Sequence, residues 1–217
     1  MPVAAVRPLV PSALELDLAE GRAWLTLIPF LIAESHPAGL PRLLASAFLE
    51  ANLRTYVRGP DGEPGIYFFS LEAESLPAVA GARLFYGLPY FLADMSRRVE
   101  GTHITYASRR RAGRPATLDV AWTVGPDTGT AAPGTRDHFL IERYSLYVAR
   151  RSGLYRGQVR HAPYPLRAAT IERLATSLPA AAGLSEPADP PLCHHSPGVD
   201  VEISWLTRLP HARSRAA

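Results

Sequence analysis

The sequence predicts an α+β protein that is mainly β. Runs of β-branched and aromatic residues recur between dense turn signals, as in NLRTYVRGPDGEPGIYFFSL. Only a few short stretches have helical composition. No internal repeat or domain linker divides the 217 residues, so one domain is expected over residues 1–210, with 211–217 a disordered tail.

Leu14 to Asp17 reads as a short strand. Ala23 to Ala33, AWLTLIPFLIA, is nearly all apolar and is predicted as a strand buried on both faces, with Pro29 marking a bulge or a sheet edge. Pro37 to Phe48 reads as a loop leading into one or two helical turns. Leu53 to Arg58 is a strand on the propensity of Thr55, Tyr56 and Val57. GPDGEPG turns it into a hairpin with Ile66 to Glu74, where Tyr67, Phe69, Leu71 and Ala73 form an apolar face and the even positions turn polar.

Ser75 to Met95 is the stretch around which the chain is organised. Ser75 is an N-cap, Pro77 sits in the first turn, and Val79, Ala82, Phe85 and Tyr86 share one helical face. Gly87 supplies a left-handed C′ residue and Pro89 forbids continuation. Tyr90 and Phe91 then start a strand at a fixed place and must face opposite ways. Tyr90 is taken as the inward one.

Thr102 to Arg109 and Thr117 to Val124 form a second hairpin around RRRAGRP. Its basic run, Arg109, Arg110, Arg111 and Arg114, is expected at a solvated tip. Gly125 to Gly134 reads as a loop, Asp137 to Glu142 as a helical turn, and Arg143 to Arg150 and Leu154 to His161 as strands. Ala168 to Leu178 has the clearest helical composition, with Ile171, Leu174 and Ala175 on one face. A Pro/Ala-rich connection leads to closing strands at Pro191 to His195 and Val199 to Leu206.

All 23 basic residues are arginine. Without lysine, no side-chain amine can form an imine. No run of about 18 apolar residues is present, so no membrane partner is expected. A net charge of +3 does not argue for nucleic acid. Cys193 is the single cysteine, which excludes an internal disulfide and fits a reducing cytoplasm. Walker, dinucleotide, nucleophile-elbow and HExxH motifs are absent.

Gly87 and Pro89 resemble the Gly-x-Pro-Lys-Lys segment of acetoacetate decarboxylases, where the helix end presents the Schiff-base lysine; Tyr90 and Phe91 stand where the lysines would be. RPLVP, GRAWLTLIPF, NLRTYVRGPDGEPGIYFFSL, ARLFYGLPYF, FLIERYSLY, HAPYPL and SPGVDVEIS, in order from Arg7 to Ser204, resemble the YqjF-like bacterial family. That resemblance implies an acetoacetate-decarboxylase-like barrel with a few short helices packed outside. It also implies a strand ahead of RPLVP, which this chain, starting almost at the motif, is expected to lack.

The candidate residues each carry a bland alternative. Tyr90 is a phenol working in a pocket or a core tyrosine satisfied at the rim. Arg54, Tyr56 and Glu72 hold an organic acid and move a proton, with Glu72 as base, or they form a structural ion pair. Arg83 faces the cavity or caps its helix. Glu142, Arg143, Tyr144 and Tyr147 cannot all serve one site, because strand neighbours alternate. Cys193, His194 and His195 lack zinc-like spacing, so no metal is expected, and no cofactor. The expected partner is a small organic molecule, with a homo-oligomer left open. The reaction is acid/base chemistry without an imine; the alternative is a non-catalytic domain that lost the decarboxylase lysine.

Overall fold

The computed structural model describes residues 1–35 and 46–210. The loop expected from Pro37 lies largely outside these residues, as does the tail from 211. The chain opens with α1 (Val3–Val6) and a tight 3-10 turn, then β1 (Glu15–Leu16), β2 (Leu25–Ser35), β3 (Ser46–Arg58) and β4 (Pro64–Ala73). α2 (Leu76–Gly81) runs into a π-helical turn at Ala82–Tyr86. β5 (Tyr90–Glu100), β6 (His103–Arg110) and β7 (Thr117–Gly129) follow, then α3 (Arg136–Ile141), β8 (Ser145–Arg150), β9 (Gly153–His161) and β10 (Leu166–Thr176). α4 (Leu178–Ala181) precedes the short β11 (His194–His195), β12 (Val201–Ile203) and β13 (Thr207–Arg208).

The pairing path runs β11-β10-β7-β6-β5-β4-β8-β9-β12, with β3 and β2 branching from β4. The path keeps free ends among the described residues, so the expected closed barrel is corrected to an open, strongly curled sheet. Curling brings β6 and β7 over β3. Tyr106, Leu118, Val120 and Trp122 therefore share one core with Leu49, Ala51, Leu53 and Val57. α2 and α3 cover the opposite face, over Phe48 and Ala73 at one end and Tyr56 at the other.

Strand β4 organises this arrangement. One edge pairs antiparallel with β3. The other is shared by two parallel partners, β8 at Ile66 and Tyr67 and β5 from Leu71 to Ala73. A bulge leaves Phe69 without a partner on β3 and reverses the alternation. Leu71 thus packs in the same cluster as Ile66 and Phe68, and the odd-numbered apolar face expected from sequence is broken in two.

Several expectations need correction. The helix expected over 168–178 is a strand up to Thr176, with Leu178 opening α4: Ala169 to Thr176 pair along β7, so long-range pairing overrides local propensity. β2 is half-buried rather than buried on both faces, because among the described residues it pairs with β3 alone, and Pro29 sits on that edge strand. Ser46 to Phe48 belong to β3, and the loop expected at Gly125 begins only after Gly129. Phe85 is exposed, since the π-helical turn widens the spiral and rotates it off the buried face of Val79.

Arg110 also departs from expectation. It is the last residue of β6, and its side chain turns inward to pair with Glu72. Both side chains are almost fully buried, 4% and 1% exposed. Arg109 and Arg111 are exposed beside Asp94. Arg110→Ser should cost about 3–5 kcal/mol in urea denaturation, because it strands a buried carboxylate. Arg109→Ser and Arg111→Ser should each stay within about 0.5 kcal/mol of the parent.

Candidate functional site

Ser75 accepts a hydrogen bond from the Ala78 amide and starts α2, as expected for an N-cap. Gly87 ends the π-helical turn with φ of +64°. A Cβ there would lie 2.7 Å from Arg150 Nε, a contact that the flexible arginine can relieve, so the left-handed backbone is what favours glycine. The Leu71 amide then donates to the Pro89 carbonyl at 3.0 Å and docks the junction on β4. Arg83 Nε donates to the Tyr90 carbonyl at 2.6 Å, so Arg83 clamps the junction.

Docked in this way, Tyr90 aligns with Leu71 and Phe91 with Glu72. The two aromatic residues point to opposite faces of the sheet. Phe91 is on the curled inner face, where the Arg110 guanidinium lies 3.6 Å from its ring centroid. Arg110 Nε donates to Glu72 at 3.1 Å and Ser70 Oγ donates to Glu72 at 3.2 Å. Burial still pushes the Glu72 carboxyl above its usual range, against these partners. Glu72 is thus a buried member of an ion pair and faces away from Tyr90.

The helix-covered face carries a row from β3: Phe48, Glu50, Asn52, Arg54 and Tyr56, at every second position. Tyr90 O–H donates to Glu50 Oε2 at 2.7 Å. Glu50 is 3% exposed, and burial pushes its carboxyl up to about 7. Hydrogen bonds from Tyr90 and Asn52 pull the other way without cancelling burial, and the Glu72 charge raises it further. Burial, with Glu50 beside it, holds the Tyr90 phenol well above its ordinary range, so the phenol stays a donor at neutral pH.

Arg54 stands two positions along the row. Its Nη2 donates to the Leu140 carbonyl at 3.1 Å, while its Nε is buried without a hydrogen-bond partner. Tyr56 O–H donates to the same carbonyl at 2.7 Å, and the Phe139 ring packs 5.0 Å from its own. Asn52 Oδ1 is likewise buried and unpartnered. Ile28, Phe30, Arg54 and Tyr90 around this row are half-buried, so the face is not sealed. A separate cleft of about 320 Å³ opens where β4 forks, lined by residues including Tyr67, Phe69, Leu88 and Pro89.

The structure therefore brings Arg54, Tyr56 and Tyr90 to one face with Glu50 and Asn52, and leaves Glu72 and Arg83 elsewhere. Sequence reading missed Glu50 and Asn52. The signal was the period-two row through FLEANLRTY, hidden by taking its start for a helical turn. Arg143 pairs with Asp17 at 2.7 Å, Tyr147 donates to the Glu63 carbonyl at 2.8 Å, and Tyr144 donates to Glu142 at 2.7 Å. His194 pairs with Asp137 at 3.2 Å, and Cys193 is half-buried. Among the described residues no three His, Cys, Asp or Glu side chains gather where a metal could sit, and no helix is long and apolar enough to cross a membrane.

Residues 1–200 match the DUF2071 family, described as an uncharacterized conserved protein. The protein YqjF of Bacillus subtilis (strain 168) is 41% identical over 207 residues, covering 95% of this chain and 85% of YqjF. An acetoacetate decarboxylase-like enzyme from Sphingomonas wittichii RW1 superposes with a TM-score of 0.55 at 15% identity, over 95% of this chain and 86% of that one. The enduracididine biosynthesis enzyme MppR, complexed with pyruvate, superposes with a TM-score of 0.51 at 13% identity, over 94% and 79%.

Two measurements check the geometry. Gly87→Ala should cost about 1–2 kcal/mol or more, from the left-handed backbone alone. Glu50→Gln reads the perturbed carboxyl. A group raised from 4.5 to about 7 binds its proton more tightly when folded, so its contribution to stability is intact below 4.5 and is lost as pH rises through 7. Glu50→Gln should gain on the parent by on the order of 3 kcal/mol between pH 4.5 and 8, and the gap should be flat above that. A gap independent of pH would show that Glu50 titrates normally.

Proposed function

Because the chain belongs to the DUF2071, YqjF-like family and has the acetoacetate-decarboxylase-like fold without a lysine, we propose that it binds a small organic acid on the face of Glu50, Arg54 and Tyr90. Glu50 exchanges a proton with the bound molecule, and no imine forms. The observation that carries this reading is the buried Glu50 carboxyl. It is held near neutrality by burial and oriented by Tyr90 at 2.7 Å. A general acid or base works best with a pKa near the operating pH, and Glu50 has one.

Arg54 supplies the complementary charge. Its Nε has no partner, and a ligand carboxylate would fill that position with a charge-assisted hydrogen bond. MppR, of the same fold, holds pyruvate, which supports a small acid as the ligand class. The free Cys193 supports a reducing cytoplasmic compartment.

One observation favours a second reading, a binding domain without chemistry. The space enclosed by the curled sheet is filled by Tyr106, Leu118, Trp122 and their neighbours, which form a packed core where a catalytic cavity would be expected.

The test is a panel of pyruvate, lactate, acetoacetate and 3-hydroxybutyrate, read by thermal stabilisation and by exchange of the proton next to the carbonyl or hydroxyl carbon in deuterium oxide. At least one acid should raise the Tm of the parent, and Arg54→Met should abolish the rise. Glu50→Gln should keep binding and lose exchange. Binding without exchange in the parent selects the binding-domain reading; a panel in which no acid raises the Tm removes both.

A further inference from the structure

The solvent face of α2 and the π-helical turn is unlike the rest of the surface. Leu76, Leu84, Phe85 and Trp205 are each at least 59% exposed, whereas no other large apolar side chain among the described residues exceeds 47%. Leu76, Ala80 and Leu84 follow at four-residue spacing and are all exposed, so they form one outward stripe. Phe85 extends it, rotated off the buried side by the wider π-helical turn. Trp205, from the link between β12 and β13, lies beside it. Its ring stacks on Tyr86, with centroids 5.9 Å apart and planes 8° from parallel.

A helix that is apolar on both sides belongs in an interior. Val79 fills the inner side of this one, against Phe48 and Ala73. The outer side is apolar as well, and its large side chains stand in solvent.

We propose that this face is the twofold contact between two copies of the chain. In a twofold contact the same patch meets itself, so it must be complementary to itself. From Leu76 to Gly87 the one charged residue is Arg83, and its Nε turns back to the Tyr90 carbonyl at 2.6 Å. Like charges therefore do not oppose each other across the axis, and the face offers no charge pattern that would select a foreign protein. Contacts between identical chains are apolar and aromatic-rich, whereas transient contacts are about as polar as the surface around them. The area fits too. A large aromatic side chain has about 150–250 Å² to bury, so four side chains exposed to this extent offer on the order of 500 Å². That supplies the apolar centre of a contact of standard size, about 800 Å² per partner. Tyr86 takes one face of the Trp205 ring, and the residue is still 60% exposed, so its second face is open to the other copy.

Light scattering on a sizing column should give the parent, at tens of micromolar, twice the chain mass of 23.6 kDa. Leu84→Glu and Phe85→Glu should each give the single-chain mass at the same concentration, with the far-UV circular dichroism of the parent. Val99→Glu charges an exposed apolar residue on β5 and should stay dimeric. Trp205 gives an independent reading. Diluting the parent through dissociation should shift tryptophan emission to longer wavelength, and Trp205→Phe, which keeps Trp24 and Trp122, should remove the shift. A parent that is monomeric throughout overturns the proposal, and binding of that monomer to lipid vesicles then marks the face as a membrane contact. A dimer that survives both glutamate variants also overturns it, because its contact lies elsewhere. If the glutamate variants do not fold, the dilution shift decides: a shift that Trp205→Phe removes supports the contact, and a dimer that dissociates without one overturns it.

Discussion

Strand β4 has one edge to offer and two parallel strands that use it. β8 takes the start of that edge and β5 takes the end. Parallel neighbours cannot be joined by a tight turn, so β5 must arrive from a distance. It arrives through α2 and the π-helical turn after it, which reverse the chain and end abruptly at Gly87. The docking of the Pro89 carbonyl on the Leu71 amide then fixes the register of everything downstream. A register one residue different would exchange Tyr90 for Phe91 and dismantle both polar clusters at once.

That register sorts two buried carboxylates into different roles. Glu72 and Glu50 both lose hydration, and burial raises both carboxyls. Glu72 has Arg110, with Phe91 stacked on the guanidinium, so its charge is matched and the trio ties β4, β5 and β6 together. Glu50 has a phenol and an amide but no cation. Hydrogen bonds from neutral donors offset only part of the cost of burying a charge. A paired carboxylate is a structural element, whereas an unpaired one near neutrality can change its protonation state with a ligand.

The parts of this arrangement that were legible in the sequence are local. Ser75, Gly87 and Pro89 act on their own backbone, and the structure places the helix end and the strand start where those residues predict. The β3–β4 and β6–β7 hairpins followed from their turn residues for the same reason. What was illegible depends on distant partners. Residues 168–178 have helix-forming composition, but β7 offers them a long ladder. Arg110 sits in a run of arginines that looks solvated, and only Glu72, far back in the chain, pulls it in. The bulge at Phe69 defeated simple alternation on β4. Glu50 could not be singled out, because its meaning comes from Tyr90 across two strands.

A phenol and not an amine stands at the end of this junction, and that decides what the junction can contribute. An amine there could act as a nucleophile, and the fold's rigid helix end would aim it. A phenol held well above its ordinary range by burial and by Glu50 cannot readily ionise, so it neither attacks nor accepts a proton near pH 7. It can only donate. Its donation to Glu50 favours the charged carboxylate, yet the carboxyl still sits near 7 because burial is the larger effect. Tyr90 therefore acts by limiting how far burial lifts Glu50 and by fixing the direction of one carboxyl oxygen. The rigid junction aims a hydrogen bond at Glu50, and under the proposed function the group that exchanges a proton lies on β3 and not at the junction itself.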